Sequence, residues 1–323
     1  LWPPPPPDEA PRRAALLGRA INGTYVYDRP SLKGKPLRLR PAEAVFDIYE
    51  TVQSDDAHYN RTWYRVAGGF MYSGTVQPAQ WRIQQPSLEV PKGGFLGEIS
   101  VPYTLAKNYP KATAPTTYRL YYETTYWITE AKADDTGNIW YKITDDRYET
   151  VTYWAPGRHV RRITASEIAP LTPNVANKRI EIALDAQTAR CYEGDKLMLE
   201  TLCATGPYLR MENGERFFST PRGNWMVDRK RPSRHMAADD LAAGDGFDLP
   251  GVPWVSYFHW WGVSFHGTYW HNDFGRARSH GCINVPSATA KWLYRWAAPH
   301  GDDLTHIPEE IKGDGGTPVL VAY

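Results

Sequence analysis

The segment Phe265-His-Gly-Thr-Tyr-Trp-His-Asn-Asp-Phe-Gly-Arg-Ala-Arg-Ser-His-Gly-Cys-Ile-Asn284 places one thiol and three imidazoles within a short stretch of chain. A thiol reacts as its thiolate, and a nearby imidazole can take the proton. Cys282 follows Gly281, precedes Ile283 and stands just ahead of a helical pattern, whose first backbone N–H groups could stabilise a thiolate or an oxyanion. His266 ends the apolar run Val263-Ser-Phe-His266. The intervening turn-rich chain is long enough to return Cys282 to its side, whereas His280, one residue from the cysteine, would point elsewhere in an extended segment, so His266 is the expected base. Zinc is the competing use of His266, His271, His280 and Cys282. Their spacings do not match the close Cys/His pairs of structural zinc sites, and no metal or cofactor is expected.

Strands must position these groups. Arg179-Ile-Glu-Ile-Ala-Leu-Asp185 alternates, and Arg190 to Cys203 reads as a hairpin turning at Gly194-Asp195. A two-residue turn pairs Glu193 with Lys196 and sets Cys191 opposite Met198. Cys203 then lies on the other face, and both cysteines read as small buried hydrophobes. Ser219 to Val227, Val255 to Trp261 and Val263 to His266 follow as strand-like runs. The stretch Asp228 to Gly251, rich in charge, Gly and Pro, departs from strand periodicity and reads as a loop. One helix is expected, Ser287 to Trp296, with Ser287 as N-cap and Ala288, Trp292, Leu293 and Trp296 on its apolar face.

Ser279-His-Gly-Cys-Ile-Asn284 preceded by His266-Gly-Thr268 closely resembles the L,D-transpeptidase (YkuD-like) catalytic domain family of bacterial cell-wall enzymes. The similarity covers roughly residues 177 to 298 and includes Thr220-Pro-Arg-Gly223 with Val227. The resemblance implies a β-sandwich-like domain and a cysteine acyl transfer on peptidoglycan stem peptides. Cys282 would attack the carbonyl of a meso-diaminopimelate or equivalent residue of a stem tetrapeptide and expel D-alanine, and an acceptor amine would complete a 3→3 cross-link. His266 would be the base, oriented by the Gly267 carbonyl. Gly281 and Cys282 N–H groups, with His280, would receive the oxyanion, and Ser279 would support the loop. Asn284, Trp270, Tyr257 and Arg278 would meet substrate, in a cleft with Asp228 to Gly251 as its lid and Trp254, Tyr257, Trp260, Trp261 and Trp270 as its walls, although Trp260 and Trp261 suit a β core equally well. Asn284 stands where the family often carries Arg, so Arg276 or Arg278 is the candidate to replace that carboxylate contact. The alternatives are an L,D-carboxypeptidase, a sortase-like cysteine acyltransferase, or a non-catalytic wall-binding protein.

The rest of the chain is organised as a weak repeat. Trp63-Tyr-Arg-Val66 recurs as Trp140-Tyr-Lys-Ile143, each preceded by an aromatic strand-like run and an Asp/Asn turn and followed by further short strands. These halves resemble bacterial SH3-like modules. The expected architecture is therefore mainly β: a proline-rich linker (residues 1–17), two small SH3-like β-barrels (18–88 and 89–172), and the β-sandwich-like catalytic domain (173–323) with one short helix after the nucleophile. Aromatic residues make up 13% of the chain, which suits strands. A net charge of +1 removes the general electrostatic argument for nucleic-acid binding, and no stretch approaches a membrane-spanning length. A monomer acting outside the cytoplasm, in the periplasm or cell wall, is expected, with an export signal or anchor upstream.

Overall fold

Strand periodicity governs most of the chain. In Lys178–Ala183 the alternating residues Ile180 and Ile182 are buried, and the same alternation recurs in Val45–Ile48, where Phe46 and Ile48 are buried. The computed structural model describes residues 16–56, 58–148, 150–210, 216–238, 246–301 and 307–323. It is 46% strand and 7% helix, with one α-helix among the described residues. The expected linker lies almost wholly outside the described residues. The chain divides into two compact units. One comprises the residues up to Ile163 with Arg234–Gly251 and Tyr269–Asn272; the other comprises Thr164–Ser233, Val252–Thr268 and Asp273–Tyr323.

The first unit contains the repeat, and its two copies share one pairing scheme. In each, an opening strand (Leu16–Ala20; Phe95–Ile99) lies between a middle strand (Val45–Ile48; Thr125–Ala133) and a closing one (Val76–Ala79; Val160–Arg162). A second strand (Thr24–Tyr27; Tyr103–Lys107) lies between a third (Pro36–Arg40; Thr116–Tyr121) and a later one (Gly69–Tyr72; Thr152–Pro156). The Trp-Tyr motifs occupy matching strands, Thr62–Val66 and Ile139–Thr144, and bury Trp63 and Trp140. Each copy has its own core, one around Phe46, Tyr64 and Met71, the other around Ile128, Tyr141 and Tyr153. Gly18 and Gly97 sit at the same point of the opening strands, where a Cβ would strike Phe46 at 2.6 Å or Val160 at 2.5 Å. The copies differ at Tyr49, which interrupts the middle strand of the first. Its strands therefore form a three-stranded and a five-stranded sheet, whereas the second copy forms one sheet of seven.

The second unit holds one five-stranded sheet and the greater part of another, of which residues 234–237 and 248–251 are counted with the first unit. In the first sheet, Lys196–Leu202, Thr188–Glu193, Lys178–Ala183, Pro318–Ala322 and Gly223–Met226 lie in that order. The C-terminal strand enters parallel to Lys178–Ala183, with Ile180 opposite Val319. The hairpin turns at Gly194 with Glu193 opposite Lys196, but a bulge beside Cys191 pairs it with Leu199 rather than Met198. In the second sheet the order is Ile283–Val285, Ser264–Gly267, Asp248–Tyr257, Arg229–Ala237 and Ile311–Lys312. The expectation of a lid from Asp228 to Gly251 is therefore corrected: Arg229–Ala237 is a nine-residue strand, and 248–251 begin the next. Residues 239–245 lie outside the described residues.

The helix Ser287–Trp296 forms where expected, but its N-cap is Pro286 and Ser287 is its first helical residue. Its buried face is Ala290, Leu293, Tyr294 and Trp296, so Ala288 and Trp292 are not core positions. Two lysines close its far end. Lys230 Nζ donates to the Tyr294 and Ala297 carbonyls at 2.8 Å each, and Lys178 Nζ donates to the Trp296 carbonyl at 2.8 Å. The helix dipole favours cations at this end.

Candidate active site

His266 and Cys282 arrive on neighbouring strands. Ser264–Gly267 and Ile283–Val285 run parallel, with His266 opposite Asn284. One step back in that register lies Cys282, opposite Ser264, whose Oγ is 3.6 Å from Sγ. Successive side chains alternate faces, so His266 shares a face with Ser264 and reaches the thiol diagonally. The imidazole hydrogen-bonds the Cys282 thiol. Its Nδ1 lies 2.9 Å from the Gly267 carbonyl oxygen. A carbonyl only accepts, so Nδ1 carries the proton and Nε2 is the basic nitrogen. Sγ also lies 3.9 Å from the Gly262 carbonyl.

Burial opposes ionisation of the Cys282 thiol, but the hydrogen bond and charge of His266, aided by Ser264, outweigh it and hold the thiol below its ordinary pKa. Cys191 and Cys203 have no such help. Burial alone pushes Cys203 up to about 12 and raises Cys191 as well. All three cysteines are free, and only Cys282 is partly exposed.

Backbone and hydroxyl brackets hold the loop before Cys282. Ser279 Oγ accepts the Gly281 N–H at 3.1 Å and donates to the Cys282 carbonyl. The Arg278 and Ser279 N–H groups donate to the Thr205 carbonyl at 2.9 and 3.1 Å. Gln187 grips Thr205 in turn, its Oε1 accepting the Thr205 N–H at 2.9 Å and its Nε2 donating to Oγ1 at 2.7 Å. Thr220 is fully buried; its Oγ1 accepts the Gly206 N–H at 2.8 Å and donates to the Gly281 carbonyl at 2.7 Å. Gly206 and Gly281 touch there, since a Cβ on Gly206 would lie 1.9 Å from Ser219 Oγ and 3.0 Å from Gly281 Cα. Gly281 itself has φ +152, a conformation that side chains disfavour. Sequence reasoning assigned no role to Ser264, Gln187 or Gly206, and it read Thr220 only as part of a family motif.

The other expected site residues divide. His280 is exposed at the loop surface. The Gly281 N–H donates to Ser279 Oγ. Asn284 is 1% exposed, and its backbone exchanges two 2.9 Å hydrogen bonds with Ala204. Tyr257 is likewise buried, with the Arg229 guanidinium 4.1 Å from its ring centroid. Arg276 and Arg278 share the buried carboxylate of Asp273, at 3.1 and 2.7 Å, which engages both candidates for a substrate carboxylate. Trp254 is core, and Trp270 belongs to the first unit and is partly buried. Trp260 and Trp261 are the exposed pair, at 75% and 68%, on the turn that ends at Gly262 beside Sγ. Their rings lie 4.7 Å apart, and Trp260 stacks on His259.

No curated protein matches the chain. Among solved structures, it is similar to the Ldtfm–avibactam carbamoyl enzyme, with 28% identity over 47% of this chain and 51% of that one, at a TM-score of 0.33. It is similar to the Enterococcus faecium L,D-transpeptidase C442S mutant, with 26% identity over 46% and 51% of the two chains, at 0.33. It is similar also to the catalytic domain of E. faecium L,D-transpeptidase solved by NMR, with 27% identity over 45% and 96%, at 0.32. The chain spans about half the length of the first two. Residues 177–321, the stretch that carries His266, Ser279 and Cys282, match the family model of YkuD, the L,D-transpeptidase catalytic domain.

Proposed function

We propose that the chain is a peptidoglycan L,D-transpeptidase working through a cysteine acyl-enzyme. The observation that carries this reading is the Cys282 thiol held against His266, whose Nδ1 is fixed on the Gly267 carbonyl so that Nε2 is the proton acceptor. His266 takes the thiol proton, and the thiolate attacks the carbonyl of the third residue of a stem tetrapeptide. The bond to the terminal D-alanine breaks, and its nitrogen leaves with the proton from His266. An acceptor amine then gives a proton to His266, attacks the thioester and releases the thiolate, giving a 3→3 cross-link. His280 supports the loop at its surface. The exposed Trp260–Trp261 turn, whose end meets Sγ, walls the approach to the thiol.

In this reading the enzyme acts outside the cytoplasm on the cell wall, and residues 18–88 and 89–172 are two SH3-like modules placed ahead of a catalytic region at 173–323. The repeated pairing scheme and the two separate cores support that division. Intact-mass spectrometry after incubation with a carbapenem tests the chemistry. One adduct per chain, lost in Cys282→Ala, together with D-alanine release from a disaccharide tetrapeptide that needs both Cys282 and His266, is the expected result. Wild-type release by Cys282→Ala would reject the assignment.

A further inference from the structure

The first unit holds a cavity of about 350 Å³ that the thiol chemistry leaves unused. Its lining carries both signs of charge. Arg19, 2% exposed, donates to both oxygens of Glu43 at 3.0 and 3.1 Å, to Gln77 Oε1 at 2.9 Å and to the Tyr269 carbonyl. Arg119, 40% exposed, stands 3.8 Å from the same Glu43. Two guanidinium groups against one carboxylate leave one positive charge in excess, and Arg119 is the member open to solvent.

Asp248, also in the lining and 37% exposed, is hydrogen-bonded by His235 Nε2 and lies 3.5 Å from the Tyr118 hydroxyl. His235 Nδ1 meets the buried Asp145 at 2.6 Å. Both ring nitrogens face carboxylates, so the imidazole carries both protons. Neighbouring Asp146 is balanced by Arg234 at 2.9 Å. Two carboxylates around one imidazolium leave one negative charge in excess, and Asp248 is the member open to solvent.

Tyr121 in the cavity wall is covered: Arg19 lies 4.1 Å from its ring centroid, and Tyr269 stacks on it at 4.9 Å. The volume lies at the small end of ligand pockets, which run from about 300 to 1,000 Å³.

We propose that this cavity binds a small zwitterion with an amino-acid head, its carboxylate on Arg119 and its ammonium on Asp248. The site is independent of the transferase reading. Calorimetric titration of the full chain with diaminopimelate, pimelate and 1,5-diaminopentane tests it, because the last two keep the carbon chain while dropping the ammonium or the carboxylate groups. Diaminopimelate is expected to bind at least tenfold more tightly than either analogue, and Arg119→Gln and Asp248→Asn should each weaken it about tenfold. Should Asp248→Asn fail to fold, Arg119→Gln with Arg119→Glu decides the matter, since Arg119 is half-exposed. No binding, equal binding of the three compounds, or binding indifferent to Arg119 but lost in His266→Ala would overturn the proposal. Carbapenem acylation of Cys282 on the same samples reports the transferase chemistry separately.

Discussion

Three free thiols in one chain allow the effect of surroundings to be read directly. Cys191 and Cys203 are enclosed by apolar neighbours and held protonated, whereas Cys282 has a histidine and a serine at hand. Iodoacetamide should therefore modify native protein at Cys282 alone. Its rate should reach half-maximum at a lower pH than that of an ordinary thiol, because a lowered pKa fills the thiolate at lower pH. His266→Ala removes the stabilising partner while burial remains, so the midpoint should move upward; peptide mass spectrometry across a pH series checks both points. A midpoint unmoved by His266→Ala would contradict the coupling. The juxtaposition of His266 and Cys282 was legible because few side-chain types do this chemistry and a strand end plus a loop can bring them together. Gln187, Thr220 and Ser264 were not, since an amide or hydroxyl bracing a backbone has no characteristic spacing. The burial of Asn284 and Tyr257 was hidden for a related reason: a polar or amphipathic residue in a motif can pack inward once its backbone is paired.

Among the elements, the helix after the nucleophile depends on a residue far from it in sequence. Lys230 is buried, and it supplies two of the hydrogen bonds that close the helix C-terminus. Lys230→Met would fill similar space yet leave the Tyr294 and Ala297 carbonyls without that donor, at about 1–3 kcal/mol per group. We expect a loss of about 2–4 kcal/mol in urea unfolding; a change below about 0.5 kcal/mol would refute the capping role. The strand that carries Lys230 escaped sequence reading for the same reason. Arg229–Ala237 buries Lys230 and His235, and its alternation shifts phase at Pro232 and Ser233, which are both buried. Polar residues that are buried through hydrogen bonds erase the hydropathic period on which such readings rely. The hairpin at Gly194 was legible because its turn residues are local, whereas its bulge depends on packing across the pair. Trp260 and Trp261 were ambiguous because a hairpin tip and a core strand can have equally aromatic sequences.

For the whole molecule, the repeat was visible through its Trp-Tyr motifs, but the joining of Arg234–Gly251 and Tyr269–Asn272 to the first unit was not. That grouping rests on contacts such as His235 with Asp145 and Tyr126 with Pro250, which no local pattern announces. Removing residues 1–172 should leave His235 and Arg234 without Asp145 and Asp146, so residues 173–323 alone should unfold at lower temperature and less cooperatively than the full chain. An unchanged, sharp calorimetric melt would show that these ties are dispensable. The unit boundaries have a further consequence for inheritance. The backbone crosses between the units five times, after Ile163, Ser233, Gly251, Thr268 and Asn272. Neither unit is a cassette that recombination could lift out at two ends, and a single protease nick would yield two fragments of which at least one holds parts of both. Exchange of the first unit for another would have to replace the segments 234–251 and 269–272 in the same event, so the two parts of this chain are bound to diversify together.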